Sequence, residues 1–379
     1  MLKTVSTKNQ EEGSTKKLSW FNRVALFFNF VAVLCVFISY SAKYISPAKY
    51  WLFAFFGLGY PVLFFINIFF VLYWILQLKK YFLISLVSIL FGYQSFFSYC
   101  QFNFSNSSVE NNSLRVITYN CMLFDLYNWR ENVGSRNKIF TMLSKENPDI
   151  LCLQEFYTSE NPSGFDNLHV LSRLLKFPYH SKHYTTTLRQ TDHWGIITFS
   201  KFPIVNSGVL VFQTKTNNAC IFSDVVIDRD TVRVYNIHLQ SIQFGKEDYK
   251  YVSDVIKNKN NQDLQHGKSI LRRLKKGFTK RATQSEMISK HIEGCRYKII
   301  LCGDFNDTPT SYAYHKVRGN LMDAFFEKGR GLETTYNGDF PAFRIDNIFH
   351  SHGIKTNSYK KIDNSLTDHS PVLVTFKLE

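Results

Sequence analysis

Apolar and polar positions divide the chain into two regimes. Near the N-terminus three apolar stretches run almost unbroken, from Val24 to about Tyr40, from Trp51 to Leu78 and from Tyr81 to about Phe102. The last two contain no Asp, Glu, Lys or Arg. A helix crossing a bilayer needs about 20 mostly apolar residues, so the pattern predicts three transmembrane helices over residues 24–102. Trp20, Tyr40, Tyr50, Trp51, Trp74 and Tyr81 lie near their ends, where amphipathic rings favour the headgroup region. A cleaved signal peptide is the alternative for the first stretch, given small Ser39, Ser41 and Ala42, but the two later stretches make cleavage unnecessary for export.

Beyond Leu114 the pattern changes to short apolar or alternating runs bounded by Asn, Asp, Gly and Pro. Leu114–Asn120, Asp149–Leu153, Gly195–Ser200, Ser223–Ile227, Val232–Leu239, Lys298–Cys302, Arg344–Phe349 and Val372–Phe376 are rich in Val, Ile, Phe and Tyr and read as strands. Helical patterns such as Arg136–Glu146 and Leu168–Lys176 intervene. The alternation predicts an α/β sandwich over residues 114–379, joined to the apolar part by a polar Ser/Asn linker at 103–113.

Charge then gives this arrangement a direction. The 379 residues carry 45 Lys and Arg against 30 Asp and Glu, a net charge of +15. Lys3, Lys8, Lys16, Lys17 and Arg23 precede the first apolar stretch, and Lys79 and Lys80 follow the second, while only Lys43 and Lys49 lie between those two. Positive charge stays inside, so residues 1–23 form a cytoplasmic tail, and three crossings place the sandwich outside, which in a bacterium is the periplasmic side of the inner membrane or the outer surface. The seven cysteines are odd in number and contain no CxxC pair, which favours buried free thiols over a disulfide framework or a zinc site.

Polar residues cluster where the apolar runs stop. The run ends carry TYN (Asn120), LQE (Glu155), NIHLQ (Asn236, His238), CGDFN (Asp304, Asn306), RIDNIF (Asp346) and TDHSPV (Asp368, His369). Singly, each has a structural explanation as a cap, a turn former or an ion-pair partner, Asp346 with Arg344 for example. Together they exceed what packing requires, and loops at one edge of a rigid sheet are where sites are built.

In this order and spacing the motifs resemble the endonuclease/exonuclease/phosphatase superfamily, the deoxyribonuclease I-like hydrolases. HWGIITFSKFPI (His193–Ile204) is also similar to that family's G-x-A-I-x-S-R-x-P segment, with Ile197, Thr198 and Lys201 as departures. The resemblance covers Leu114–Glu379, and the whole chain looks like a membrane-anchored bacterial branch with three N-terminal spans. It implies a four-layer α/β/β/α sandwich preceded by three transmembrane helices. It also implies a Mg²⁺ (or Mn²⁺) cofactor held by Glu155, with Asp368 and Asn120 close by. Asp304 then orients or deprotonates water, Asn306 holds the water or a phosphate oxygen, His369 and His238 contact the scissile phosphate, and Asp346 pairs with His369.

Between the NIHLQ and GDFN strands, residues 241–293 form an insert with seven cations and no acid from Lys268 to Arg281. Ile270, Leu271, Leu274 and Phe278 share one helical face, which leaves Arg272, Arg273, Lys275 and Lys276 as candidate substrate-binding cations, or as the solvated side of a packed helix. The expected partners are the lipid bilayer and a phosphoester substrate, with no obligate protein partner. The function expected is a membrane-anchored, metal-dependent hydrolase of a phosphodiester or phosphomonoester, such as a lipid head group. A tethered extracytoplasmic nuclease is the alternative, and a non-catalytic phosphate-binding module the third.

Overall fold

The computed structural model describes residues 18–378 apart from 104–112, 129–132, 162–163, 213–215, 243–246, 249–250, 252–263, 339–342 and 364–365. The chain divides into two compact units, Met1–Phe37 with Val62–Phe91, and Ile38–Pro61 with Gly92–Glu379.

In the first unit, most of α1 (Trp20–Ser41) packs with α3 (Tyr60–Leu76) and α4 (Phe82–Phe91) around Ala32, Phe70 and Trp74. A buried polar knot ties the three helices. Trp74 Nε1 donates to Asn29 Oδ1 at 2.8 Å, Asn29 Nδ2 to Ser85 Oγ at 2.6 Å and Ser85 Oγ to Asn67 Oδ1 at 3.0 Å. Among apolar side chains such groups must satisfy one another, so the knot fixes which helix faces meet.

The expectation of three spans is corrected here. Among the described residues, only α1 is by itself long and apolar enough to cross a membrane. The second apolar stretch breaks into α2 (Leu52–Leu58) and α3, bent by 64°, and qualifies only if the bent pair counts as one span. Pro61 explains the break, because it has no N–H to donate and its ring clashes with the carbonyl four residues earlier, that of Gly57. The third stretch yields α4, only 10 residues long, then a short α5 (Tyr93–Phe97). Its end, Cys100–Phe102 (β1), pairs antiparallel with Arg330–Leu332 (β11), so it is a strand of the second unit.

That unit contains two six-stranded sheets. One runs β10 (Met322–Asp323), β12 (Asp346–His350), β9 (Lys298–Asp304), β8 (Asp230–His238), β7 (Ala219–Ile227), β6 (Ile204–Leu210). The other runs β13 (Ile354–Lys361), β14 (Val372–Leu378), β2 (Leu114–Asn120), β3 (Ile150–Ser159), β5 (Asp192–Ser200), β4 (Tyr179–Leu188). Only β2–β3 and β8–β9 are parallel neighbours within them. Alternation along the central strands builds the layers. Val116, Ile150, Cys152, Val232, Val234, Ile300 and Val374 meet between the sheets. Ile117, Tyr119, Leu151 and Leu153 point the other way, onto α6 (Val133–Glu146) and α7 (Asn167–Leu174). Tyr235, Ile237, Ile299 and Leu301 pack on α8 (Leu264–Glu293) and α9 (Tyr312–Arg318). The result is an α/β/β/α sandwich, the arrangement that the family resemblance implies.

The segment 38–61 belongs to this same unit. Ala54, Phe55 and Leu58 of α2 pack on Ile270, Leu274 and Phe278 of α8, and Thr310 Oγ1 donates to the Gly57 carbonyl at 2.8 Å.

Candidate active site

Strand register brings most of the candidate residues to one edge. His238 stands opposite Asp304 across the parallel pair β8–β9, and Asp346 opposite Asp304 across the antiparallel pair β12–β9. Gly303 is needed just before them: its φ is +147°, and a Cβ there would lie 2.0 Å from the Ile237 carbonyl oxygen. In the other sheet Asn120 ends β2 opposite Gln154, and Glu155 falls in the bulge of β3 between Leu153 and Phe156.

Two polar bridges lock the sheets together at this edge. Gln154 Nε2 donates to Asn236 Oδ1 at 2.7 Å, and Asn120 Nδ2 donates to Asp304 Oδ2 at 3.0 Å. Asp304 also accepts from the Asn306 backbone N–H at 2.8 Å and from Asn306 Nδ2 at 3.1 Å. Three donors thus fix a fully buried carboxylate. Burial raises its pKa above the usual range, and Asp346 pushes the same way, against the pull of His369 and His238.

His369 sits in the turn before β14. Its carbonyl accepts from Thr367 Oγ1 at 2.8 Å, and its Nδ1 lies 2.9 Å from Asp346 Oδ2. With Nδ1 donating to that carboxylate, Nε2 faces Asp304 Oδ2 at 3.9 Å. Burial opposes a charged imidazole, yet Asp346 and Asp304 outweigh it and raise the His369 pKa well above that of an ordinary histidine. His238 Nε2 lies 3.6 Å from Asp304 Oδ2 and 3.7 Å from Glu155 Oε1, buried and without a hydrogen-bond partner among the described residues. Burial also raises the Asp368 pKa, and the Glu155 charge adds to it against His369.

Glu155, His238, Asp304, Asp368 and His369 line one cavity of about 660 Å³, together with Asn120, Asn306 and Tyr336 on the polar side and Leu58, Leu123, Ile242, Leu274 and Phe278 on the apolar side, while Asp346 stands behind His369. The donor set suits a hard divalent cation. Glu155, Asp368 and Asn120 would offer it oxygen donors: the two carboxylates repel each other, and Asn120 Oδ1 spends one lone pair on the Met122 N–H, leaving the other. Ligand atoms of Asp304, Asp346 and His369 also lie within 4.8 Å of one another. That trio is a poorer cation site, because its shortest contact is the hydrogen bond between His369 and Asp346, and a cation there would have to break it.

The four cations of the insert do not join this site. None of Arg272, Arg273, Lys275 and Lys276 is among the cavity residues. Arg273 pairs with Asp248, Lys275 lies 4.7 Å over the Trp51 ring, and Arg272 and Lys276 are exposed. The reason is helical phase: the apolar stripe of α8 turns inward and carries these four outward. Sequence reasoning instead passed over Arg281, which the same phase turns in. It is 1% exposed, lines the cavity, and donates from Nε to Asp307 Oδ2 at 2.8 Å. Its seven-residue spacing from Leu274 was the available signal. Arg344 pairs with Asp323, which leaves Asp346 to His369.

A two-sheet sandwich with carboxylate, amide and imidazole groups converging at one sheet edge defines a class of phosphoester hydrolases. The chain belongs to the endonuclease/exonuclease/phosphatase family, whose profile matches residues 117–369; residues 22–99 match a domain of unknown function. Members of that family are phosphoester hydrolases that generally use a divalent metal. Among solved structures, an endonuclease/exonuclease/phosphatase from Beutenbergia cavernae is similar over 71% of this chain and 72% of its own, at 18% identity and a TM-score of 0.52. A family protein from Bacteroides thetaiotaomicron is similar over 71% of this chain and 99% of its own, at 18% identity and a TM-score of 0.51. No curated protein matches the chain.

Proposed function

We propose that this protein is a membrane-anchored phosphoester hydrolase that requires Mg²⁺ or Mn²⁺ and acts on a phosphoester at the membrane, such as a lipid head group. The observation that carries the reading is the buried Asp304, held by Asn120 and Asn306 with two histidines facing it. A phosphodiester resists attack because its charge repels nucleophiles and its leaving oxygen is poor, so a catalyst must position water and offset charge. Asp304, with its raised pKa, accepts the water proton, and Asn306 beside it orients the water. His369, kept cationic by Asp346, and His238 meet the phosphate oxygens. Glu155, Asp368 and Asn120 hold the cation, which supplies further charge neutralisation at the phosphate.

Anchoring is supported by α1, which is long and apolar enough to cross a bilayer. The decisive experiment assays the full chain with Mg²⁺ or Mn²⁺ on phospholipids, plasmid DNA and a small phosphodiester. Activity is expected on lipid, lost with chelator and in Glu155→Ala. Turnover that survives both treatments refutes the metal assignment, and cleavage of DNA alone favours the nuclease.

A further inference from the structure

The cavity changes character along a single helix. Leu274, Phe278 and Arg281 are spaced i, i+4, i+7, so they share one face of α8, and all three line the cavity. Arg281 marks the polar end. Its Nε donates to Asp307, the residue after Asn306, its Nη1 donates to the Gln240 carbonyl at 2.8 Å, and its guanidinium carbon lies 5.2 Å from the Phe278 ring centroid on the other side. Leu274 is two turns further on, about 10 Å along the helix axis. There Leu58 of α2 and Ile242 complete the wall, and the rings of Phe55 and Phe278 meet edge to face at 5.1 Å behind it.

A wall of this kind is unlike a nucleic-acid groove, which meets the backbone with cations and stacks bases on open aromatic faces. Arg272, Arg273, Lys275 and Lys276 of α8 lie off the cavity, and the ring of Phe278 is 2% exposed. Apolar surface facing a cavity gains free energy when hydrocarbon replaces water there.

We propose that Leu58, Ile242, Leu274 and Phe278 form a hydrocarbon subsite, so that the substrate is an amphiphilic phosphoester whose phosphate sits at the strand ends and whose alkyl chain lies along α8 and α2. This rests on the hydrolase reading and deepens it, since it names the substrate class.

The test titrates the full chain in lipid nanodiscs with butyl, hexyl and octyl phosphate by calorimetry, with empty nanodiscs titrated to subtract partitioning, and in parallel assays hydrolysis of methyl 4-nitrophenyl phosphate. Affinity is expected to rise with chain length, by up to roughly three- to fourfold per methylene where the chain is fully enclosed. Phe278→Ala should flatten that dependence. Leu58→Trp, which fills the wall rather than emptying it, should shorten the longest chain that gains affinity, and so serves if Phe278→Ala fails to fold. Equal affinity for butyl and octyl phosphate, or a chain-length dependence that Leu58→Trp leaves intact, overturns the subsite. Chain-dependent binding without hydrolysis of the methyl ester in Mg²⁺ or Mn²⁺ supports the subsite and refutes the hydrolase reading. Hydrolysis with chain-indifferent binding does the reverse.

Discussion

Glu155 occupies a backbone position that glutamate seldom adopts, with φ at +48° inside a bulge. Left-handed backbone costs a non-glycine residue about 1–2 kcal/mol, and such strain concentrates where function fixes the side chain. Glu155→Gly should therefore be inactive yet about 1 kcal/mol more stable than Glu155→Ala in chemical denaturation, because glycine relieves the strain and alanine keeps it. His369 gives a second expectation at this scale. Its pKa is raised, so the imidazolium and its bond to Asp346 persist through neutral pH; the stability they add is present below the unfolded pKa and lost as pH rises through the folded one. Asp346→Asn removes the carboxylate that favours the charged ring. The alkaline limb of the pH–rate profile should then move to lower pH, with a smaller loss of turnover than in Asp304→Asn or His369→Ala. An unmoved limb would mean that another group titrates there.

The elements show where the sequence was legible and where it was not. Central strands such as β2 and β9 are buried on both faces and appear as apolar runs, so their positions were readable to within two residues, while β3 was read only as far as Leu153 and continues past its bulge to Ser159. The strands that escaped notice include β4, β6 and β13, which lie at sheet edges. YHSKHYTTTL in β4 carries exposed polar residues on an open edge, and no apolar run marks it. The site motifs were legible because turns at strand ends keep their residues close in sequence, as Asp304 and Asn306 do; Arg281 was not, because only the phase of α8 brings it in. Gly277, a poor helix former, is buried within that helix, and a Cβ there would lie 3.2 Å from Arg281 Nη1. The same phase yields a prediction. Neutralising Arg272, Arg273, Lys275 and Lys276 should change the Michaelis constant for a small soluble phosphodiester less than twofold, roughly the error of the assay, since exposed charges act weakly on a screened site. A large increase would place them at the substrate after all.

At the scale of the molecule, membrane topology turns on the break at Pro61. If α1 alone crosses, a cytoplasmic N-terminus puts the catalytic unit outside; if the bent α2–α3 pair also crosses, it returns the chain to the cytoplasm. The presence of α2 within the catalytic unit favours the first arrangement, at the cost of leaving Lys79 and Lys80 outside. A periplasm-specific reporter fused after Glu379 should give signal, and a cytoplasm-specific one should not. The membership of α2 in that unit also sets an order of events during synthesis. The bond from Thr310 to the Gly57 carbonyl spans 253 residues, so at about 5–20 residues per second α2 leaves the ribosome roughly 13–50 s before Thr310 does. For most of that interval LFAFFGL is an apolar segment without the α8 surface that covers it in the finished fold.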